Sequence, residues 1–432
     1  MPEGRYVLLG LAQARAPWFK ELSQWTTSSS IAAEFVKCVS AEEVRVHLAS
    51  GRPYSALLID ASLAAFDRDL VATSVDAGTP VLVVTDGRGP PWTPDDLGVS
   101  AVLPAGFARS DLLAALGAHT ALVSDASQLP PILEDQPAPL WRGHMLTVCG
   151  PGGTGASTVA VALAQGLAGD PRHGGRILLA DLALRADQAL LHDARDLGPG
   201  LQELVEAHRL GRPAPSEIRA GTFEVPSRGY RLLLGLRRPA AWSVLRPKAI
   251  DVTLDGLRRT FQVVVADVGG DVEGESESGS ADVEERNHLA RSATSTADAV
   301  VIVGAPGLKG LHSLGSLMRS LHELGVSPGR MLPVVNRAPR HPRARSDITA
   351  ALGVLLPGIA DLPGPVFLPE RKVDGALRDN EALPSALVEP LTRAVMALVD
   401  RQADAPPPGH GGPVPVAPGS LGRWTESAPP NA

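Results

Sequence analysis

Short apolar runs, each followed by a stretch with helical spacing, recur along the chain and organise its reading. In the first third, Tyr6-Leu11, Glu34-Val39, Ala56-Ile59, Pro80-Val84 and Ala101-Leu103 predict strands. Helices are predicted at Trp18-Trp25, Ala41-Ala49, Ala64-Ala77, a short piece near Asp95, and Arg109-Thr120. Runs this uniformly apolar suit strands buried on both faces, so the alternation predicts a parallel sheet clad in helices on either side.

The pattern stops at residues 123–143, where proline and acid without periodicity predict a linker, and resumes from about His144. Strands are then predicted at Leu146-Cys149, Arg176-Ala180, Tyr230-Gly235, Phe261-Ala266, Ala299-Ala305 and Leu332-Val335, with a helix over Ser157-Ala168. Asp271 to Arg286, DVEGESESGSADVEER, offers little to bury and repels itself, which predicts a mobile surface loop. Residues 403–432 are too rich in Pro and Gly to fold. The expectation is therefore a doubly wound α/β domain over 1–122 and a second α/β domain, its sheet mostly parallel, over 144–402.

Composition narrows the partners rather than the fold. A formal net charge of -7 gives no overall pull toward nucleic acid or anionic lipid, so such contact has to come from a local patch. Two cationic clusters are dense enough to name: Arg337, Arg340, His341, Arg343 and Arg345, and Arg237, Arg238, Arg246, Lys248, Arg258 and Arg259. No aromatic residues interleave for base stacking, so any DNA contact would be with the backbone alone. Cys38 and Cys149 belong to no metal-ligating spacing and read as reduced core thiols. The first residues lack the features of a signal peptide, and no apolar run is long enough to span a membrane. These features predict a cytoplasmic protein with no transmembrane segment, any membrane association being peripheral and through partners.

The candidate chemistry is concentrated at Met145 to Leu163, MLTVCGPGGTGASTVAVAL, read as strand, glycine turn and helix. Gly150, Gly152, Gly153, Thr154, Gly155, Ser157 and Thr158 form the turn and its exit. Such a loop holds phosphate because glycines accept the dihedrals that turn successive N–H groups inward, toward the positive end of the next helix. In the pattern G-x-x-x-x-G-K-[ST] a lysine precedes the hydroxyl and reaches the phosphates. Here that residue is Ala156.

The wording G-G-T-G-x-S-T resembles the deviant Walker loop of the MinD/ParA ATPases, K-G-G-x-G-K-[ST]-T. A second lysine stands before the glycine pair in that family, at the place of Pro151, so both lysines are missing. Further along, Asp181 ends a predicted strand where the family has D-x-D, but the second carboxylate, which positions the attacking water, is Ala183. Asp187 is the nearest loop carboxylate. Asp267 ends another strand at the family's Walker B place, Asn336 resembles the residue that hydrogen-bonds adenine, and Pro365-Pro369 resembles the proline turn that closes over it. The resemblance implies ATP or ADP with Mg²⁺: loop amides on the phosphates, Ser157, Asp267 and Asp181 around the metal, Asn336 and Pro369 at the base. Lys309, just past a strand, reads as an exposed surface residue.

The first domain resembles a degenerate response-regulator receiver, with Asp60 where the phospho-acceptor sits and Thr85 at the switch hydroxyl. Leu9-Gly10-Leu11-Ala12 carries no acidic pair, and Pro104 stands in place of the lysine. A transferred phosphoryl group would lack charge compensation, so Asp60 is read as a loop or capping residue and the domain as a docking module. A pseudo-receiver before a MinD/ParA-like domain is the arrangement of the CpaE/TadZ proteins. The lysine-free loop and arginine-rich composition are closest to their actinobacterial, septum-site-determining branch. That resemblance implies a spatial regulator in septum-site or pilus and secretion-apparatus positioning, partnered by division or secretion proteins and by a second copy of itself through the P-loop domain, with weak or absent ATP hydrolysis. Two other readings stay open: a nucleotide-independent pseudo-ATPase scaffold or adaptor, and a partition protein that binds DNA non-specifically.

Overall fold

The computed structural model describes residues 5–403 apart from 14–15, 29, 88–93, 121–140, 174–175, 197, 358 and 360. The predicted linker and tail lie almost wholly outside the described residues.

Five strands, β1 (Tyr6–Leu11), β2 (Ala33–Cys38), β3 (Ala56–Asp60), β4 (Val81–Thr85) and β5 (Ala101–Pro104), pair in parallel in the order β2-β1-β3-β4-β5. The helices between them are α1 (Pro17–Thr27), α2 (Ala41–Ala49), α3 (Arg68–Asp76), α4 (Pro94–Leu97) and α5 (Arg109–His119). Val44, Leu48 and Leu70 of α2 and α3 cover one face, and Trp18, Leu22, Leu112 and Leu116 of α1 and α5 the other. Helix α3 starts later than the apolar pattern predicts, because Asp67 accepts from the N–H of Leu70 at 2.9 Å and fixes the first turn. Asp60 is a turn residue: its Oδ1 accepts from both the N–H (2.9 Å) and the hydroxyl (2.8 Å) of Ser62.

The second sheet has eight strands. In chain order the elements are β6 (His144–Cys149), α6 (Ala156–Ala168), β7 (Ile177–Asp181), α7 (Gln188–Leu191), α8 (Leu201–Leu210), α9 (Pro215–Ala220), β8 (Phe223–Val225), β9 (Tyr230–Leu233), α10 (Pro247–Thr260) and β10 (Val263–Asp267). Then follow α11 (Glu275–Ser278), α12 (Ala281–Ser295), β11 (Ala299–Gly304), α13 (Leu308–Glu323), β12 (Met331–Ala338), α14 (Pro342–Leu355), β13 (Val366–Pro369), α15 (Asp374–Arg378) and α16 (Ser385–Ala403). The order is β13-β12-β11-β6-β10-β7-β9-β8, parallel except for the β8–β9 edge hairpin. Helices α6 and α16 pack on one face, and α8, α10, α12 and α13 on the other.

Two local expectations are corrected. The acidic stretch from Asp271 is not a structureless loop but contributes α11 and the start of α12. Its carboxylates find work there: Glu277 accepts from the N–H of Gly274 at 2.7 Å, Glu284 from that of Glu275 at 2.8 Å, and Asp271 pairs with Arg286 at 2.5 Å. Pro365-Pro369, expected as a turn, is largely the edge strand β13, where a proline at the strand end removes no ladder bond from a central position.

The two sheets' helical layers meet through α3. Arg68 donates to the carbonyls of His208 (2.9 Å) and Gly211 (2.8 Å), and Asp67 pairs with Arg209 at 3.3 Å. Asp69, buried, accepts from the N–H of Lys248 at 2.9 Å and so caps α10 from outside its own layer.

Candidate functional site

From β6 the chain crosses by α6 to β7 on one flank, while β11 lies on the other, so the carboxyl end of β6 is the switch point at which a parallel α/β sheet opens a crevice. A cleft of about 610 Å³ opens there. Residues Gly150 to Thr158 line it, opposite Leu182-Arg185 and Asp187 after β7 and Asp267-Asp271 after β10.

The loop's path needs two of its glycines. Gly153 and Gly155 have φ of 81° and 85°, and a Cβ on Gly155 would stand 2.6 Å from Nδ2 of Asn336. Side-chain hydrogen bonds hold the loop: Thr154 Oγ1 to Pro151 O at 2.8 Å, Asn336 Nδ2 to Thr154 O at 2.9 Å, and Arg337 Nη1 to Gly153 O at 3.2 Å. Helix α6 then starts at Ala156 with no side-chain cap, leaving its first N–H groups and positive dipole end at the cleft.

Behind the loop, Asp181 and Asp267 close neighbouring strands in register. Both are buried. Asp181 Oδ2 accepts from the backbone N–H of Gln188 at 2.8 Å. Asp267 Oδ2 accepts from Gln188 Nε2 at 2.7 Å, and the Ser157 hydroxyl lies near this carboxylate. Gln188 Nε2 also reaches the carbonyl of Ser157 at 3.1 Å. Burial raises both acids, Asp181 well above the ordinary range with Asp267's charge adding to the effect, and Asp267 to about 6 despite the neighbouring Gln188 amide and Ser157 hydroxyl.

Ser157 and Asp267 line the cleft; Asp181 does not. A hydroxyl and a carboxylate side by side, next to loop amides, fit a hydrated divalent cation that completes its shell with phosphate oxygen and water. Among the described residues there is no cluster of three or more His, Cys, Asp or Glu that could cage a metal without that help. Gln188 Oε1, buried with no partner, is a spare acceptor in the same cluster. Asn336 is nine-tenths buried, its amide engaged with the loop and with the N–H of Arg337 (2.9 Å), and Pro369 ends β13 opposite Ala338. Neither lines the cleft. Asp187 heads α7 on the cleft wall without making a capping bond, and Lys309 is exposed elsewhere, on α13.

Sequence reasoning passed over Gln188, whose only signal is a polar residue directly before the apolar Ala189-Leu191. It also passed over what lies behind it: His192 Nδ1 lies 2.7 Å from Gln188 O and Nε2 2.7 Å from the Tyr230 hydroxyl, all three side chains buried. Much of the second cationic cluster is engaged internally, Arg258 with Asp298, Arg259 with Asp255, Lys248 with Asp76 and Arg237 with Glu203. Cys38 and Cys149 are free and buried, which pushes their thiols up to about 11 and about 12.

No family model matches the chain, and a search of curated proteins finds no match. Similar solved structures include a ParA family ATPase from Chlorobium tepidum TLS, 16% identical over 61% of this chain and 100% of that one, with a TM-score of 0.44. A putative plasmid partition protein from Borrelia burgdorferi B31, bound to AMPPNP, is 16% identical over 60% and 100%, with a TM-score of 0.43. The septum site-determining protein MinD from Pyrococcus horikoshii OT3, complexed with Mg-ADP, is 17% identical over 61% and 96%, with a TM-score of 0.42.

Proposed function

We propose that this chain is a nucleotide-binding spatial regulator of the MinD/ParA type, CpaE-like in arrangement, that positions a septum or a pilus or secretion apparatus. One observation carries the reading: the glycine loop between β6 and α6, with two left-handed glycines, lines a cleft shared by Ser157 and Asp267. Loop amides and the α6 N-terminus would take phosphate oxygens, and Ser157 with Asp267 would hold Mg²⁺. When bound, the cation would draw charge off the phosphates. Hydrolysis is expected to be very slow: Ala156 and Pro151 supply no cation, and Ala183 no acceptor to orient a water. The receiver-like layer, with Asp60 closed into a turn, serves as a docking module held to the nucleotide layer by Arg68 and Asp69.

Sedimentation velocity with and without Mg-ATP tests the switch. A nucleotide-dependent doubling of mass supports it, and an unchanged mass at saturating nucleotide removes dimerisation as the output. A second reading, a nucleotide-independent scaffold, is favoured by one feature: Pro151, Ala156 and Ala183 stand where nucleotide chemistry would need two cations and a carboxylate.

A further inference from the structure

We infer that Arg337 is the cation that faces phosphate in this cleft, in a role for which the two lysine positions, Pro151 and Ala156, carry no charge. The inference rests on the nucleotide reading above. Pairing of β12 with β13 is regular at Val335 and shifts register before Ala338, so Asn336 and Arg337 form an irregularity at the strand's carboxyl end. Such a bulge re-aims side chains. Arg337 has a φ of 53°, a left-handed conformation uncommon for a residue with a Cβ, and Asn336 Oδ1 holds it by accepting from its N–H at 2.9 Å.

The result lays the guanidinium along the phosphate loop. Nη1 donates to Gly153 O at 3.2 Å, and Nη2 lies 3.9 Å from the place a Cβ on Gly155 would take. The side chain is exposed and lines the cleft. Its one bond is to a neutral carbonyl, and no carboxylate pairs with it among the described residues, so its charge and remaining N–H donors are open to an anion.

Two other arginines line the cleft. Arg286 is paired with Asp271 and hydrogen-bonded to Asn287. Arg185 lies on the opposite wall, in the segment after β7, and among the described residues neither is hydrogen-bonded to the glycine loop as Arg337 is. A planar fork beside a ring of amides suits a phosphate better than a point charge would.

The test compares wild type with Arg337→Gln, which keeps a donor for Gly153 O but loses the charge, and with Arg337→Lys, which restores charge without the fork. Dissociation constants for Mg-ATP and for inorganic tripolyphosphate are measured at low and high salt, with melting temperatures recorded without ligand. Arg337→Gln is expected to weaken both ligands about tenfold or more and to flatten the salt dependence at an unchanged melting temperature, and Arg337→Lys to recover part of the loss. Wild-type affinity and salt slope in Arg337→Gln would overturn the inference while leaving the nucleotide reading intact. Equal losses in both variants with a lowered melting temperature would overturn it too, by making Arg337 a packing residue of the loop. If wild type binds tripolyphosphate in an Arg337-dependent way but not ATP, the inference stands and the nucleotide reading fails. Binding of neither ligand overturns both.

Discussion

Gln188 donates to Asp267 across 2.7 Å while its own backbone N–H serves Asp181 at 2.8 Å, so one residue of α7 joins the carboxylates that close β7 and β10. Replacing Gln188 with Ala leaves Asp267 buried with one donor fewer and is expected to destabilise the fold by about 1–3 kcal/mol, read from the urea midpoint. Gln188→Glu places a third carboxyl beside two raised ones. Its loss should exceed that of Gln188→Ala at neutral pH and shrink at pH about 5 as protons are taken up.

His192 gives the fold a pH dependence of definite sign. Burial lowers its pKa from 6.5 to about 4, so the native state keeps it neutral where the unfolded chain protonates it. Its contribution is complete above pH 6.5 and is lost as pH falls toward 4, on the order of 3 kcal/mol in all. Asp181 and Asp267, raised in the native state, act in the opposite sense over this window, so the His192 contribution is read as a difference: on acidification the melting temperature of wild type should drop relative to that of His192→Gln. Parallel profiles for the two proteins would mean that other groups set the dependence.

Coupling between the two layers depends on Arg68, whose guanidinium bonds two carbonyls of the second layer. Arg68→Ala should cost about 2 kcal/mol at that contact. Calorimetry should then resolve two unfolding transitions where wild type shows one.

Much of the fold was legible because uniformly apolar runs have few alternatives to a buried strand: β1 was predicted to the residue, and β3, β4 and β10 within about two. The glycine loop was legible for the same local reason, since its shape is written in its own residues. What escaped was set by distant partners. The acidic stretch is helical because Asp271 meets Arg286 and Asn287 enters the core, contacts that composition does not report. Gln188 matters only because β7 and β10 are neighbours, although almost ninety residues separate them, and the bulge at Arg337 exists only through pairing with β13.

Ala156 begins α6 on the cleft wall, at the place where the phosphate-loop pattern G-x-x-x-x-G-K-[ST] has its lysine. Ala156→Lys is therefore expected to tighten Mg-ATP at least tenfold, because it adds a cation at the phosphate end of a helix without displacing a buried side chain. Fluorescent-nucleotide titration of the variant beside wild type measures this. Equal affinities would mean that phosphate is not held at the start of α6.

Calorimetric titration of the purified chain with Mg-ATP and Mg-ADP, beside Ser157→Ala and Asn336→Ala, bears most directly on whether the cleft is a nucleotide site. The expected result is saturable binding that both substitutions weaken about tenfold or more, the first by removing the hydroxyl next to Asp267 and the second by releasing the carbonyl of Thr154 that holds the loop. No saturable heat with either nucleotide at millimolar concentration would contradict the account and leave the cleft as the relic of a site in a protein that acts through its surfaces.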